Sequence, residues 1–246
     1  MMSFIEPSTL ILASVIVFFG ALTQSLIGFG LAVVASPLLY IVSPQLVPVP
    51  IVVMGFVISA MTLFRERGHL QFNGLQYALL GRIPGGFVGA GLLVFAPQAV
   101  LGLIIAAIVY IAVILSVYKI TAPINRISLF IAGIFSGIFG NIAAIGGPPM
   151  AILLAGQDVN QFRAALSAFF LISSLIALAI LAIFGLVEPQ HLWLSLMLIP
   201  SIVGGYLVSG LLINHIDKDK TRIITLVLCS VSATVLVIKS LMALIS

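Results

Sequence analysis

The chain has 246 residues, 62% of them hydrophobic and only 7% charged, with a formal net charge of +4 and a mean hydropathy of +1.36. Ordinary soluble domains carry roughly 45–50% apolar and about 25% charged residues, so a soluble fold of this size has too little polar surface to cover its core, whereas lipid accepts apolar groups all around a helix. The cationic residues fall almost entirely in short linkers, which excludes a nucleic-acid-binding patch, and the single cysteine, Cys229, excludes an internal disulfide or a cysteine-based metal site.

Met1 to Pro7 carries no basic n-region and no small-residue cleavage site, so the first apolar run is expected to be a retained span. Eight apolar stretches follow in chain order: Leu10 to Val42, Ile51 to Phe64, Leu75 to Ala96, Ala99 to Tyr118, Ile127 to Ala155, Ala164 to Val187, Leu192 to Ile213 and Ile223 to Ile245. A spanning helix needs roughly 17–25 residues. The first and fifth stretches are too long for one simple span, the second is short, and the two long ones are also the glycine-rich ones.

Those long stretches match each other. Gly20 to Leu39 reads GALTQSLIGFGLAVVASPLL and Gly133 to Ala151 reads GIFSGIFGNIAAIGGPPMA, with Pro37 and Pro149 in corresponding places. Ile83-Pro84 followed by Gly89 likewise resembles Ile199-Pro200 followed by Gly205. The expected organisation is an all-α integral membrane protein made of two homologous repeats, residues 1–118 and 127–246, joined by a polar linker at 119–126.

Lys and Arg collect in cytoplasmic loops. The linker Arg65 to His69 is basic while its counterpart Glu188 to His191 has no Lys or Arg; Ala96 to Gln98 is uncharged while its counterpart Asp217 to Arg222 is basic. Placing every basic linker on one side requires an odd number of crossings per half. This predicts inverted repeats whose glycine- and proline-rich first segments are broken or re-entrant; eight simple spans in parallel halves would violate the charge rule at one linker.

Clustered Gly and Pro persist in hydrocarbon only where protein or a water-filled cavity satisfies the freed backbone groups. Gly28-Phe29-Gly30 with Ser36-Pro37, and Gly140-Asn141 with Gly146-Gly147-Pro148-Pro149, are such clusters. Helix N-termini exposed there present amide donors and partial positive charge, which suits an anion near the midplane. The alternative is that the glycines only permit close helix packing. Nearby, Thr23, Gln24, Ser25, Ser36, Ser136 and Asn141 are neutral donors; the hydroxyls have the alternative of bonding an i−4 carbonyl. Arg82 is the one cation well inside an apolar stretch, a functional candidate by default, with snorkelling as the other option. Arg163 follows Asp158 and Asn160, either of which would cap the next helix, and fits a salt bridge or an interfacial anchor.

The acidic residues Glu6, Glu66, Asp158, Glu188, Asp217 and Asp219 all read as linker or tail residues, leaving no mid-membrane carboxylate to bind a cation or relay protons. His69, His191 and His215 also fall in linkers, so no base activates a buried serine and no metal ligand set forms. There is no Walker lysine motif, and no cofactor is expected.

Together, Gly28-Phe29-Gly30 with Ser36-Pro37-Leu38-Leu39, Ser136-Gly137 with Gly140, Ile145-Gly146-Gly147-Pro148-Pro149, and Phe162-Arg163-Ala164 resemble the sulfite exporter TauE/SafE family of bacterial membrane permeases over nearly the whole chain. The resemblance implies a multi-pass protein of the bacterial inner membrane that transports sulfite, a sulfonate or a related anion, often outward, and it adds weight to Arg163. The expected substrate-binding set is Gln24, Ser25, Gly28, Phe29, Gly30, Ser36, Pro37, Arg82, Asn141, Gly146, Gly147, Pro148 and Arg163. The expected partners are a small anion and the lipid bilayer, with no nucleic acid; the oligomeric state, a homo-oligomer included, stays open. The rival readings are a non-transporting scaffold subunit, a carrier of a different organic anion, and an intramembrane enzyme, for which no catalytic dyad is found.

Overall fold

A computed structural model describes residues 6–70, 74–118, 122–212 and 218–245. Part of the inter-repeat linker, His215 and all the side chains of the Asp217 to Arg222 linker lie outside what is described. Each long apolar stretch divides at its glycines into a long and a short helix. The elements are α1 (Pro7–Ile27), α2 (Leu31–Val42), α3 (Val49–Glu66), α4 (Leu75–Phe95), α5 (Gln98–Val117), α6 (Arg126–Ala143), α7 (Gly147–Leu154), α8 (Val159–Ile183), α9 (Pro189–Leu212) and α10 (Lys218–Ile245). Among the described residues, eight helices are long and apolar enough to cross a membrane, and α2 is a shorter apolar helix. The short second apolar stretch reaches spanning length because α3 continues through Arg65 and Glu66, flanked by single 3-10 turns at Pro44–Leu46 and Arg67–His69.

Large apolar side chains cover the outside, Phe19, Phe95, Ile127, Ile183, Leu211 and Ile224 among them, as expected of a surface that meets acyl chains. Helix contact rests on small residues. Gly81, Gly85 and Gly89 of α4 lie against the backbone of Phe130, Ile134 and Ile138 of α6, and Gly133 and Gly137 return the contact against Ala78, Arg82 and Gly86. Residue numbers rise together along this seam, so α4 and α6 run parallel. Gly205 against Phe18, and Ser209 against Ser25, give α1 and α9 the same parallel relation. By contrast, Gly102 faces Ser240 and Tyr110 bonds Thr234, so α5 and α10 are antiparallel. In hydrocarbon no hydrophobic force drives helices together, and a glycine seam lets backbones approach closely enough for dispersion to do so.

The α4–α6 seam carries a polar pin. Asn141 Nδ2 donates to the carbonyl of Gly86 at 3.0 Å, and its Oδ1 is buried with no partner among the described residues.

Candidate functional site

The two glycine breaks meet at one cavity. At the first, α1 ends on Gly28, whose φ of 100° lies in the left-handed region glycine tolerates. Gly30 (φ 150°) then turns the chain into α2. The amide of Leu31 donates to Gln24 Oε1 at 3.2 Å, and the first bond into α2 is from Val34 N–H to Gly30 O at 3.0 Å. The amides of Ala32 and Val33 therefore begin the helix without an intrahelical acceptor, at residues that line the cavity.

At the second break, α6 ends and Ala144 takes a left-handed conformation (φ 59°), a strain of about 1–2 kcal/mol for a residue with a Cβ. Ser36 Oγ of α2 donates to the carbonyl of Ala143, tying the two breaks together. Pro148 and Pro149 open α7 but have no N–H, so this end offers fewer amide donors than the helix-break argument assigned to it. Gly147 admits the ring of Phe29: a Cβ there would stand 3.2 Å from Phe29 Cβ and 3.2 Å from Phe170 Cζ.

The cavity holds about 520 Å³ of empty space, counting its open mouth, and is walled by Gln24, Phe29, Gly30, Ser59, Arg82, Gly140, Gly146, Gly147, Phe170, Ser173 and Ser174 with apolar residues between them. Arg82 is its cation. The glycine seam brings α4 against α6, and the 4% exposed Arg82 side chain turns inward. Its Nε donates to Ser173 O at 3.0 Å, and its Nη1 donates to Ser136 O at 2.6 Å and to Ser136 Oγ at 3.1 Å. Ser136 Oγ in turn donates to Gly146 O at 2.7 Å. No ion pair among the described residues includes Arg82. An ion taken from water without a counter-charge costs several kcal/mol; carbonyl dipoles offset part of that, and an anion in the cavity would offset the rest.

The expected binding residues thus separate into three places. Gln24, Phe29, Gly30, Arg82, Gly146 and Gly147 line the cavity. Gly28, Ser36, Pro37, Pro148 and Asn141 build or brace the breaks without lining it. Ser25 and Arg163 belong to a second polar cluster where α1, α3, α8 and α9 meet. There Arg163 Nη2 donates to Leu26 O, and Nη1 stands 3.8 Å from Glu66 Oε1. Arg65 donates through Nε to Glu66 Oε1, through Nη1 to Ser25 Oγ and through Nη2 to Ser25 O, each at 3.1 Å. Ser25 Oγ accepts from Ser209 Oγ at 2.6 Å. Arg65 and Arg163 thereby cap the last carbonyls of α1, where a helix end favours cations.

Glu66 is a correction to the reading of the acids. It is the last residue of α3, buried and ion-paired, because arginines from its own helix and from α8 converge on it; the apolar run ends at Phe64 and hides this. Ser59, Ser173 and Ser174 were also missed, although a Ser-Ser pair inside the apolar run of α8 is a visible signal. Asp158 is the residue that caps α8: its Oδ1 accepts from Asn160 N–H at 2.9 Å, which holds its carboxyl below the ordinary range.

No curated protein and no solved structure matches this chain. A family model described as sulfite exporter TauE/SafE matches residues 12–236, a stretch that holds both glycine breaks, Arg82 and the Arg163 cluster. A multi-pass helical protein whose two breaks enclose a buried cation with no ionic partner among the described residues is in keeping with that match, and the chain belongs to the sulfite exporter TauE/SafE family of membrane transporters.

Proposed function

We propose that this protein is a secondary transporter that carries a small sulfur-containing anion, sulfite or an organosulfonate, outward across the bacterial inner membrane. The observation that carries the proposal is Arg82, a buried cation with no ionic partner among the described residues, facing a cavity between two helix breaks. Arg82, the amides of Ala32 and Val33, and the hydroxyls of Ser59, Ser173 and Ser174 would receive the oxygens of the anion; the phenyl rings of Phe29 and Phe170 would exclude water from it. The family description supports the sulfur oxyanion.

Residues 1–118 and 127–246 act in this proposal as two inverted halves that alternate around the site. Helix direction supports the inversion. Each half carries five α-helices among the described residues, in the order long, short, long, long, long; α5 and α10 are corresponding helices, and their antiparallel pairing is what inversion requires, while the parallel α4–α6 and α1–α9 seams are compatible with it. The basic linkers then share one end, the cytoplasmic one.

The test is efflux of sulfite from loaded proteoliposomes. Wild-type protein is expected to raise the rate above empty vesicles, and Arg82→Gln to return it to background. Equal efflux from the two proteins removes Arg82 from the site.

A further inference from the structure

Between the cavity and the two-arginine cluster runs a stripe of buried polar groups left unpaired by the fold. On α3, Val52, Gly55 and Ser59 line the cavity; Thr62 and Glu66 continue the same face at i+3 and i+7 from Ser59. On α8, Phe170 and Ser174 line the cavity, and Ser167 and Arg163 continue their face in the opposite direction. The two faces meet at the far end, where Arg163 Nη1 stands 3.8 Å from Glu66 Oε1. Ser59 to Glu66 spans about 10 Å of helix axis.

Ser59 is 0% and Thr62 1% exposed. Ser59 Oγ, Thr62 Oγ1 and Arg163 Nε have no hydrogen-bond partner among the described residues. Other buried helix hydroxyls find a carbonyl, either of their own helix, as Thr23 does on Phe19 O at 2.8 Å and Ser195 on His191 O at 2.7 Å, or of another segment, as Ser36 does on Ala143 O. Ser59 and Thr62 do not. Buried unpaired polar atoms are costly, and these run from Ser59 at the cavity wall through Thr62, three residues on along α3, to Arg163 in the charged cluster, an arrangement suited to water or a small polar solute.

Among the described residues, the opposite end of the α3–α8 pair is apolar. There Val49, Ala90, Ile180 and Leu181 pack with Leu93 and Phe184 into an apolar plug.

We propose that the α3–α8 interface is the anion's route between the cavity and the basic-linker end, and that Glu66 is its gate. The site at the mouth of the route is Arg163 with Thr62, and its ligand class is a small oxyanion. In the closed state the Glu66 carboxylate stands in for that ion on Arg163. An arriving anion displaces Glu66, takes Arg163 Nε and Nη1, and passes along Thr62 and Ser59 to Arg82. The 3.8 Å separation suits a displaceable pair, and Arg65, at 3.1 Å, holds the released carboxylate. The inference rests on the anion-transport reading for its cargo; the lane and gate stand on the geometry.

The experiment needs no substrate. In a Cys229→Ser background, which removes the single cysteine, Thr62→Cys and Ser59→Cys are tested in inside-out vesicles with an impermeant thiol reagent bearing a sulfonate; Leu181→Cys marks the apolar plug. Thr62→Cys or Ser59→Cys should react, Leu181→Cys should not, and adding Glu66→Gln should speed the reaction about tenfold or more by shifting the population toward the open gate. Using two positions covers the loss of one variant to misfolding. If both positions are inert even with Glu66→Gln, or if Leu181→Cys reacts equally fast, the route is wrong, whatever the efflux assay shows. Reaction without sulfite efflux leaves the lane and overturns the cargo.

Discussion

The guanidinium of Arg82 lies against Gly140: a Cβ built on that glycine would stand 2.6 Å from both Nη1 and Nη2. Gly140 is therefore the space in which the buried cation sits. Gly140→Ala should leave the helices in place, because the obstructed atoms are the end of a side chain, while pushing Arg82 off Ser136. The expected outcome is a protein that inserts normally and binds its anion about tenfold more weakly, a loss of about 1.4 kcal/mol, read by thermal stabilisation against anion concentration.

Gly85 and Gly91 share α4 but should respond oppositely to the same change. A Cβ on Gly85 would overlap the carbonyl of Ile134, backbone that cannot yield without separating α4 from α6, whereas one on Gly91 meets nothing within 4 Å. Gly85→Ala is expected to destabilise by about 1–3 kcal/mol through overpacking, and Gly91→Ala to be neutral or to stabilise by up to about 1 kcal/mol through helix propensity. Thermal unfolding in detergent measures both.

At the breaks, Gly147→Leu places a side chain in the space that Phe29 and Phe170 both border, and Gly30→Leu forces a Cβ to 2.8 Å from Thr23 Cγ2 at a φ of 150°. Each should abolish sulfite efflux while leaving membrane insertion largely intact. Normal flux from both variants would remove the breaks from the site.

Asp158 gives a pH signature. Its carboxyl is held low by the Asn160 amide, so its capping contribution is complete above the unfolded carboxylate value of about 4 and is lost as pH falls through the lower folded value. Wild-type and Asp158→Ala proteins should differ in Tm at pH 7 and converge as the pH is lowered below about 4.

Much of the fold was legible because hydrocarbon simplifies the code: apolar length marks a span and clustered glycine marks a break. The break of the first and fifth stretches into two helices each, and the burial of Arg82, were readable in this way. Glu66 was not, because its burial depends on Arg163, 97 positions away in the chain, and hydropathy carries no information about such a partner. Ser59 and Thr62 were invisible for a related reason. A serine in an apolar helix ordinarily bonds its own backbone, and only the packed structure shows which ones do not. Asn141 and Ser25 read as donors to a ligand, yet the fold spends them on Gly86 and on the Arg65–Ser209 cluster.

The most direct test of an anion site built on Arg82 is thermal stabilisation of the detergent-purified protein by sulfite, sulfate, thiosulfate, sulfoacetate, taurine, acetate and chloride, run beside Arg82→Gln. A ligand that binds only the folded state adds RT ln(1 + [L]/Kd), about 2.7 kcal/mol at one hundred times Kd. Selective, saturable stabilisation by a sulfur oxyanion or sulfonate that disappears in Arg82→Gln is the predicted result; a flat response across the panel, or one that Arg82→Gln retains in full, would contradict it.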